Sequence, residues 1–241
     1  MGLGLKTYLH SRFHELTGRI ESFGGGYHEW NCRRIRVMLD HYGYAFFGGK
    51  SVIELGAGFG ELGGFFSLIG SKVTCLEGRK ANVAVIRRRQ PFVIALQHDL
   101  NAPTLPTGAD QADFIIHFGV LYHLRDPDAA LRQACKACTH MVLETECSDS
   151  DDPGYNLRKR EHSYKKDQAL DGIASSPSPA FVERVLKESG MDFERVLDQR
   201  LNFSVHNYDW PVKNTGESRQ GQRRFWFVKR AAHLDHPLPG R

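Results

Sequence analysis

The stretch Ser51-Val-Ile-Glu-Leu-Gly-Ala-Gly-Phe-Gly60 decides the fold of this chain, because a short apolar run leads directly into three closely spaced glycines. The apolar part predicts a β-strand, and the residues from Glu61 onward predict a helix. The glycines can take positive φ and carry no Cβ, so the turn can bring backbone N–H groups and a helix N-terminus close to a ligand. A nucleoside-containing cofactor is therefore expected at this turn.

Length and composition describe an ordinary globular protein with one sizeable core. The 241 residues are 41% apolar and 25% charged, and the formal net charge is +4. Basic residues occur in short scattered runs, which usually lie on solvated faces. No apolar run approaches the roughly 20 residues that a membrane helix needs, so no membrane association is expected.

Cysteine usage predicts a reduced compartment. The chain has five cysteines, an odd number without the spacing of a disulfide framework, and no secretory leader is recognised. A cytoplasmic location is therefore expected. The pair Cys135 and Cys138 lacks the second pair that a zinc site requires, so no metal is expected.

Alternating strands and helices predict a mostly parallel sheet with helices on both faces. Strands are expected at residues 51–55, 72–76, 92–97, 112–118, 140–145, 193–197 and 224–229. Helices are expected at residues 61–69, 79–89, 127–137 and from Ser178 to Gly190, with Pro179 in the first turn. Repeated βα units imply parallel strands, and right-handed crossovers place a ligand at their carboxyl ends.

The domain organisation follows from this alternation. Residues 1–48 are expected to form an N-terminal helical cap, residues 49–230 the main α/β domain, and residues 231–241 a flexible tail. Two segments, 146–176 and 200–222, leave strands at the carboxyl edge. The first is expected to be a long loop or irregular insert, and both are expected to form lids and substrate walls.

The glycine turn allows two classes of cofactor. A dinucleotide site prefers a small residue where this chain has Glu61. The GxGxG form preceded by Glu54 instead resembles motif I of the class I S-adenosylmethionine-dependent methyltransferases. Glu77 at the end of the second strand and Asp99 after the third are similar to further landmarks of that superfamily. The resemblance implies a Rossmann-like α/β fold, with a seven-stranded sheet whose last strand is antiparallel.

The same resemblance implies S-adenosylmethionine as the methyl donor and assigns its contacts. Glu54 and the turn would hold the amino-acid end, Glu77 the ribose, Asp99 the adenine, and the end of the fourth strand the methionine portion. The residues expected to bind the cofactor are Glu54, Gly56, Ala57, Gly58, Gly60, Glu77, Gly78, Asp99, Leu100, Phe118 and Gly119.

The stretch His117-Phe-Gly-Val-Leu-Tyr-His-Leu-Arg-Asp-Pro127 follows the fourth strand, where donor and acceptor meet in this superfamily. It lacks the Asn/Asp-Pro-Pro-Tyr/Phe signature of enzymes that methylate amino groups of bases or glutamine. Histidine is the side chain suited to exchange a proton near neutral pH, so His123 is a candidate general base, with Tyr122 beside it. A core or supporting histidine is an equal alternative.

Aromatic residues outside this edge are candidates for the acceptor wall. They are Tyr27, Trp30, Tyr155, His206 and Tyr208. The alternative is that they are core aromatics packed against the sheet.

Three functions are compatible with the sequence. The first is methyl transfer to an oxygen or nitrogen of a small molecule. Residues 119–127, 143–145 and 176–190 are similar to the tRNA wobble-uridine carboxymethyltransferase branch, which implies an RNA-modifying methyl- or carboxymethyltransferase as the alternative. That alternative predicts a continuous positive surface that includes Arg33, Arg34, Arg158 and Lys166. The third is a catalytically inactive protein that retains the cofactor pocket.

Overall fold

The structure is a computed structural model that describes residues 25–219 and 221–232. In chain order the strands are β1 (Ser51–Leu55), β2 (Lys72–Glu77), β3 (Ile94–Gln97), β4 (Ala112–Phe118), β5 (Cys138–Glu146), β6 (Asn156–Arg160), β7 (Ile173–Pro177), β8 (Met191–Arg195) and β9 (Arg223–Arg230). The helices are α1 (Gly25–Tyr42), α2 (Glu61–Leu68), α3 (Lys80–Arg89), α4 (Pro127–Lys136) and α5 (Pro179–Glu188).

Seven strands form the main sheet in the order β3-β2-β1-β4-β5-β9-β8. The strands β1 to β5 pair in parallel, and β9 pairs antiparallel with both β5 and β8. The predicted mostly parallel sheet with an antiparallel last strand is therefore confirmed. The chain runs outward from β1 to β3 and then returns to β4, so the gap between β1 and β4 is the topological switch point where ligands bind in such sheets.

Helices cover both faces of the sheet, as predicted. On one face Met38 of α1, Phe66 of α2 and Ile86 of α3 are fully buried against the sheet. On the other face Leu131 of α4 and Val182 of α5 are fully buried. Burial on both faces explains why the central strands are nearly continuous apolar runs.

Local sequence signals place most element ends. The bounds of β1 and β4 are those predicted. Ser178 caps α5 by accepting a hydrogen bond from the Phe181 N–H at 2.9 Å, with Pro179 as the first helical residue. The strand expected at 193–197 lies two residues earlier, because β8 pairs Met191 with Arg230.

The insert at 146–176 differs from the expected loop, because β6 and β7 form an antiparallel ribbon within it. Strand β6 reads Asn-Leu-Arg-Lys-Arg and shows no apolar alternation, so the sequence carries no strand signal there. The ribbon is held partly by polar contacts. Lys159 of β6 forms a 2.5 Å ion pair with Glu146 at the end of β5.

The predicted cap is described from residue 25 onward. Helix α1 and the 3-10 turn Tyr44–Phe47 pack on the sheet, where Phe47 is fully buried. Residues 1–24 of the predicted cap and residues 233–241 of the predicted tail lie outside the described residues.

Candidate active site

A cavity of about 640 Å³ opens at the carboxyl ends of β1, β2 and β4. Its volume lies within the roughly 300–1,000 Å³ typical of small-molecule sites. The turn after β1 and the ends of β2 and β4 form its floor. The β6–β7 insert and the segment 200–222 contribute walls.

The turn after β1 is held against β2 by backbone hydrogen bonds. The N–H groups of Gly56 and Ala57 donate to the carbonyl oxygen of Leu76 at 2.9 and 3.1 Å. Gly56 has φ +66, and a Cβ there would lie 2.6 Å from the side chain of Val120. Only glycine therefore fits at position 56, where the turn packs closely against Val120.

Glu77 links the end of β2 to this turn. Its Oε2 accepts from the Gly58 N–H at 2.9 Å, and its Oε1 accepts from the Arg79 N–H at 2.9 Å. Burial raises the pKa of Glu77 despite these hydrogen bonds, because the carboxyl group is almost withdrawn from water. Glu77 lines the cavity beside Gly78.

Glu54 lies behind the turn and does not line the cavity. Its Oε2 accepts a hydrogen bond from the Gly63 N–H of α2 at 2.9 Å. Burial raises the pKa of Glu54 to about 7. Ala57 and Gly60 also lie outside the lining. The predicted cofactor residues that do line it are Gly56, Gly58, Glu77, Gly78, Asp99, Leu100, Phe118 and Gly119.

The segment after β3 forms one end of the cavity. Asp99 is exposed, and its Oδ1 accepts from the Asn101 N–H at 2.9 Å. Leu100 is buried beside it. The Nε2 atom of His98 is buried and has no hydrogen-bond partner within the described ranges. This end therefore offers polar groups and an apolar surface to a ligand.

His123 and Glu161 form a hydrogen-bonded pair that also lines the cavity. His123 ends the 3-10 turn Leu121–His123 after β4, and its Nδ1 lies 2.6 Å from Oε2 of Glu161. The same oxygen accepts from the Ala169 N–H at 2.6 Å. Burial opposes ionisation of Glu161, but the contacts with His123 and Ala169 hold its pKa below the usual range. Glu161 was not expected from the sequence, because one acid in a charged insert carries no signal.

Trp30 and His206 form an aromatic wall. Their rings are stacked at 4.0 Å, and Tyr27 meets Trp30 edge-on at 5.6 Å. All three residues line the cavity. The predicted acceptor residues Tyr208 and Tyr155 do not line it. Tyr208 is fully buried and its hydroxyl accepts from Trp30 Nε1 at 2.8 Å, so it supports the wall from behind.

Tyr155 connects the two segments that form the walls of the site. Its hydroxyl donates to the carbonyl oxygen of Gly216 at 2.8 Å, which ties the β6–β7 insert to the segment 200–222. The two inserts are therefore connected to each other, although they are far apart in sequence.

Two arginines share one carboxylate beside the wall. Arg34 of α1 and Arg223 of β9 both bind Glu144 of β5, and all three side chains are almost completely buried. Arg223 lines the cavity and was not expected from the sequence. One sequence feature could have indicated it: two arginines, at 223 and 224, stand at the start of a strand whose next three residues are aromatic.

Neither a metal cluster nor a membrane span is found in the described part of the chain. No three His, Cys, Asp or Glu side chains of residues 25–219 and 221–232 are arranged to hold a metal ion. No helix described there is long and apolar enough to cross a membrane.

The strand order, the glycine turn after β1 and the acid that closes β2 define the class I S-adenosylmethionine-dependent methyltransferase fold. The sequence profile of a methyltransferase domain family matches residues 27–196, and the chain belongs to that family. The predictions of this fold and of an S-adenosylmethionine-dependent methyltransferase are confirmed. A search of curated proteins finds no significant match in sequence.

Solved structures share the fold at low sequence identity. The N-terminal domain of EvdMO1 with S-adenosylhomocysteine bound is 20% identical with a TM-score of 0.61, and the match covers 84% of this chain and 81% of that one. A Mesorhizobium loti S-adenosylmethionine-dependent methyltransferase is 16% identical with a TM-score of 0.56, covering 83% and 98%. Magnesium protoporphyrin IX methyltransferase from Synechocystis PCC 6803 is 13% identical with a TM-score of 0.54, covering 85% and 80%.

Proposed function

We propose that this protein transfers a methyl group from S-adenosylmethionine to an oxygen or nitrogen of a small molecule. One observation carries the proposal. The glycine turn, Glu77 and Asp99 line the same cavity as the His123–Glu161 pair, so a donor site and a proton acceptor share one enclosed space. A catalytically inactive protein that only bound the donor would not need a proton acceptor in the same cavity.

The donor half fits the chemistry of S-adenosylmethionine. Gly56 and Gly58 form the turn that lines the cavity, Glu77 can accept from ribose hydroxyls, and Asp99 with Leu100 can meet the adenine. The unpartnered Nε2 of His98 offers a further polar contact there. Glu54, Ala57 and Gly60 act through the shape of the turn. Two structures that share the fold contain S-adenosylhomocysteine or S-adenosylmethionine, which supports this assignment.

The bound donor supplies a methyl group that its sulfonium has already activated. The protein then has to align the acceptor and remove a proton. Because the Glu161 carboxylate accepts from Nδ1–H of His123, the lone pair lies on Nε2, which can take the proton of the acceptor. Glu161 also stabilises the imidazolium that forms. Tyr122 packs against the His123 ring with a 3.9 Å centroid distance and helps fix its position.

The pairing of Arg33 and Arg34 with acids favours a small acceptor over RNA. The RNA-modifying alternative needs a continuous positive surface that joins Arg33 and Arg34 to Arg158 and Lys166. Arg34 is fully buried against Glu144, and Arg33 pairs with Glu29 at 2.8 Å and donates to the carbonyl oxygen of Arg200. Neither side chain is displayed as a free cation. The wobble-uridine branch remains the second candidate because its motif residues, 119–127, lie at the cavity.

The donor assignment is tested by titration calorimetry with S-adenosylhomocysteine. Glu77→Ala and Asp99→Ala each remove a polar contact to the ligand, so each should weaken binding about 10- to 100-fold, since such contacts contribute about 1–3 kcal/mol. Asp192→Ala is the matched control, because Asp192 is exposed on β8 away from the cavity. Unchanged affinity in both cavity variants excludes this donor site.

The base role of His123 is tested once a screen of hydroxyl and amine acceptors gives turnover, measured as S-adenosylhomocysteine formed. His123→Ala should lower kcat by about 10²- to 10⁴-fold, because general-base catalysis contributes about that much. Its affinity for S-adenosylhomocysteine should remain that of the wild type. Full turnover across neutral pH would show that His123 is a supporting residue.

A further inference from the structure

The cluster of Arg34, Glu144 and Arg223 holds an unbalanced positive charge. One carboxylate serves two guanidinium groups, and the side chains of Arg34 and Glu144 are 0% exposed while that of Arg223 is 4% exposed. Two other acids lie near the cluster. Glu146 is already paired with Lys159 at 2.5 Å, and Glu54, which interacts electrostatically with Arg34, has its pKa raised to about 7 by burial. Buried charges are normally paired, because an unpaired ion loses its hydration without compensation.

The other ionisable groups around Arg223 do not supply the missing negative charge. Burial and the positive charge of Arg223 lower the pKa of His206 to about 4, so this ring is neutral at pH 7. Burial raises the pKa of Tyr122, so its hydroxyl also stays neutral. The excess of one positive charge therefore persists beside the cavity.

The guanidinium of Arg223 is arranged to receive a ligand. Its Nε donates to Glu144, and its two terminal nitrogens have no hydrogen-bond partner among the residues described. Its Cζ lies 4.9 Å from the centre of the Tyr122 ring and 4.8 Å from that of Trp30, so aromatic faces fix its plane. A guanidinium held by Nε presents two parallel N–H donors, the geometry that carboxylate and phosphate oxygens match.

The position of Arg223 is on the acceptor side of the cavity. Arg223 is the first residue of β9, and β9 lies two strands away from β4, about 10 Å across the sheet at about 4.8 Å a strand. Its aromatic neighbours Tyr122 and Trp30 belong to the proposed reaction edge and acceptor wall. Glu77 and Asp99, the proposed ribose and adenine contacts, are not in contact with it, whereas a Cβ on Gly119, at the proposed methionine end of the donor, would lie 3.4 Å from its Nη2. Arg223 therefore lies where the acceptor side of the cavity meets the methionine end of the donor.

We propose that Arg223 binds an anionic oxygen group of the methyl acceptor, so that the substrate is a small carboxylate or phosphate. This inference rests on the proposed methyltransferase function. Glu144 orients the guanidinium through its Nε. Arg34 neutralises Glu144 from the other side, which leaves the charge of Arg223 for the ligand. The anion fixes the acceptor at one end while the hydroxyl or amine to be methylated lies beside His123.

The acceptor arm of the test uses protein saturated with S-adenosylhomocysteine, titrated calorimetrically with benzoate, its neutral match benzamide, and inorganic phosphate. The wild type should bind benzoate at least 10-fold more tightly than benzamide, and it should bind phosphate. Arg223→Gln should abolish this preference, and Arg223→Lys should retain part of it. Arg125→Gln, at an exposed ion pair with Asp171, should behave as the wild type.

The donor arm separates the two sources of an anion. The carboxylate of the donor itself is tested by comparing S-adenosylhomocysteine with 5′-methylthioadenosine, which lacks that carboxylate. We expect Arg223→Gln to bind both compounds as the wild type does. Loss of S-adenosylhomocysteine affinity alone would assign Arg223 to the donor and overturn the proposal.

Two further results have distinct meanings. If the wild-type complex binds neither benzoate nor phosphate, the anion site is wrong while the donor site stands. If the wild type does not bind S-adenosylhomocysteine at all, the proposed function itself fails. Retained binding of S-adenosylhomocysteine by Arg223→Gln shows that this variant is folded, and Arg223→Lys provides the charge-conserving check.

Discussion

At the scale of single residues, the buried acids at the carboxyl edge have different tasks. Glu54 binds the Gly63 N–H and so joins β1 to α2, whereas Glu161 binds His123 across the cavity. The environment of each acid decides its preferred state. Glu54 has one backbone donor and a weak thiol contact with Cys75, so burial dominates, while Glu161 has a histidine partner and a backbone donor.

Glu54 should make the stability of the protein depend on pH. Burial raises its pKa from an ordinary value of 4.5 to about 7, so the folded protein favours the protonated acid. The associated stability is complete below about pH 4.5 and is lost as the pH rises to about 7, a change of about 3 kcal/mol at 1.36 kcal/mol for each pH unit. Glu54→Gln keeps an oxygen for the Gly63 N–H and should remove this loss. Urea unfolding at pH 5 and pH 8 measures it, and parallel profiles of the two proteins would contradict it.

Glu161 should have the opposite pH dependence. Its contacts outweigh burial and lower its pKa, so its contribution is present above the ordinary pKa of 4.5 and is lost as the pH falls through the lower folded value. At pH 7, Glu161→Gln should lower the free energy of unfolding by about 1.5–3 kcal/mol, the usual contribution of a hydrogen bond to a charged group. The difference should shrink as the pH falls below the ordinary carboxyl pKa of 4.5. A double-mutant cycle with His123→Gln isolates the pair, and zero coupling would refute it.

At the scale of elements, the side chain of Arg79 attaches the β6–β7 insert to the rest of the domain. Arg79 precedes α3, and its guanidinium donates to the carbonyl oxygens of Ser163 at 2.8 Å and Gln168 at 2.9 Å. These residues belong to the connection between β6 and β7, the segment that also provides Glu161. Arg79 thus holds this wall of the cavity in place, although it lies about 80 residues before the wall in the sequence.

Arg79→Ala should loosen this connection selectively. Removing the guanidinium frees the backbone of residues 161–170, so amide hydrogen exchange there should accelerate at least 10-fold by local opening. The global free energy of unfolding should stay within about 1 kcal/mol of the wild type, because the core is untouched. The exposed Arg88, also on α3, gives the control Arg88→Ala. Unchanged exchange in residues 161–170 would contradict this role.

The elements also show what sequence can and cannot predict. Strands β1 and β4 were predicted to the residue, because both are apolar runs bounded by a glycine turn or by polar residues. The β6–β7 ribbon was missed because both strands are short, because β6 is charged and partly exposed, and because 12 residues separate their ends. Glu161 and Arg223 were missed for a related reason. Each is recognisable as a site residue only from its contact with a residue of a distant segment, His123 for Glu161 and Glu144 for Arg223. Gly56, Gly58 and Glu77 could be predicted because they stand at positions that match landmarks of a known superfamily.

At the scale of the whole molecule, two apolar cores enclose the sheet, and strand β9 contributes to both. Trp226 is fully buried in the core beneath α4 and α5, and its Nε1 donates to Oε1 of Glu183 at 2.9 Å. Phe225 and Phe227 point to the opposite core, which α1, α2 and α3 cover. A single strand thus ties together the packing of both faces.

Trp226→Ala should destabilise the whole protein. Large aromatic residues replaced by alanine in a core lower the free energy of unfolding by about 3–5 kcal/mol, because both the transferred area and the packing are lost. Phe92→Ala, at a side chain that is 77% exposed, should change it by less than about 0.5 kcal/mol. Denaturant unfolding measures both values. A loss under about 1 kcal/mol for Trp226→Ala would show that the core relaxes around the vacancy.

The place of β9 has a consequence for how the protein is made. Strand β9 is the last strand among the residues that the structure describes, yet it lies between β5 and β8. During synthesis on the ribosome, the backbone N–H and carbonyl groups of β5 on that side stay unpaired until residues 223–230 emerge, and β8 has no strand to join. Unpaired apolar strands associate with other chains. The incomplete protein is therefore most prone to aggregate just before β9 emerges, and β9 completes the sheet by inserting between two strands that have already been synthesised.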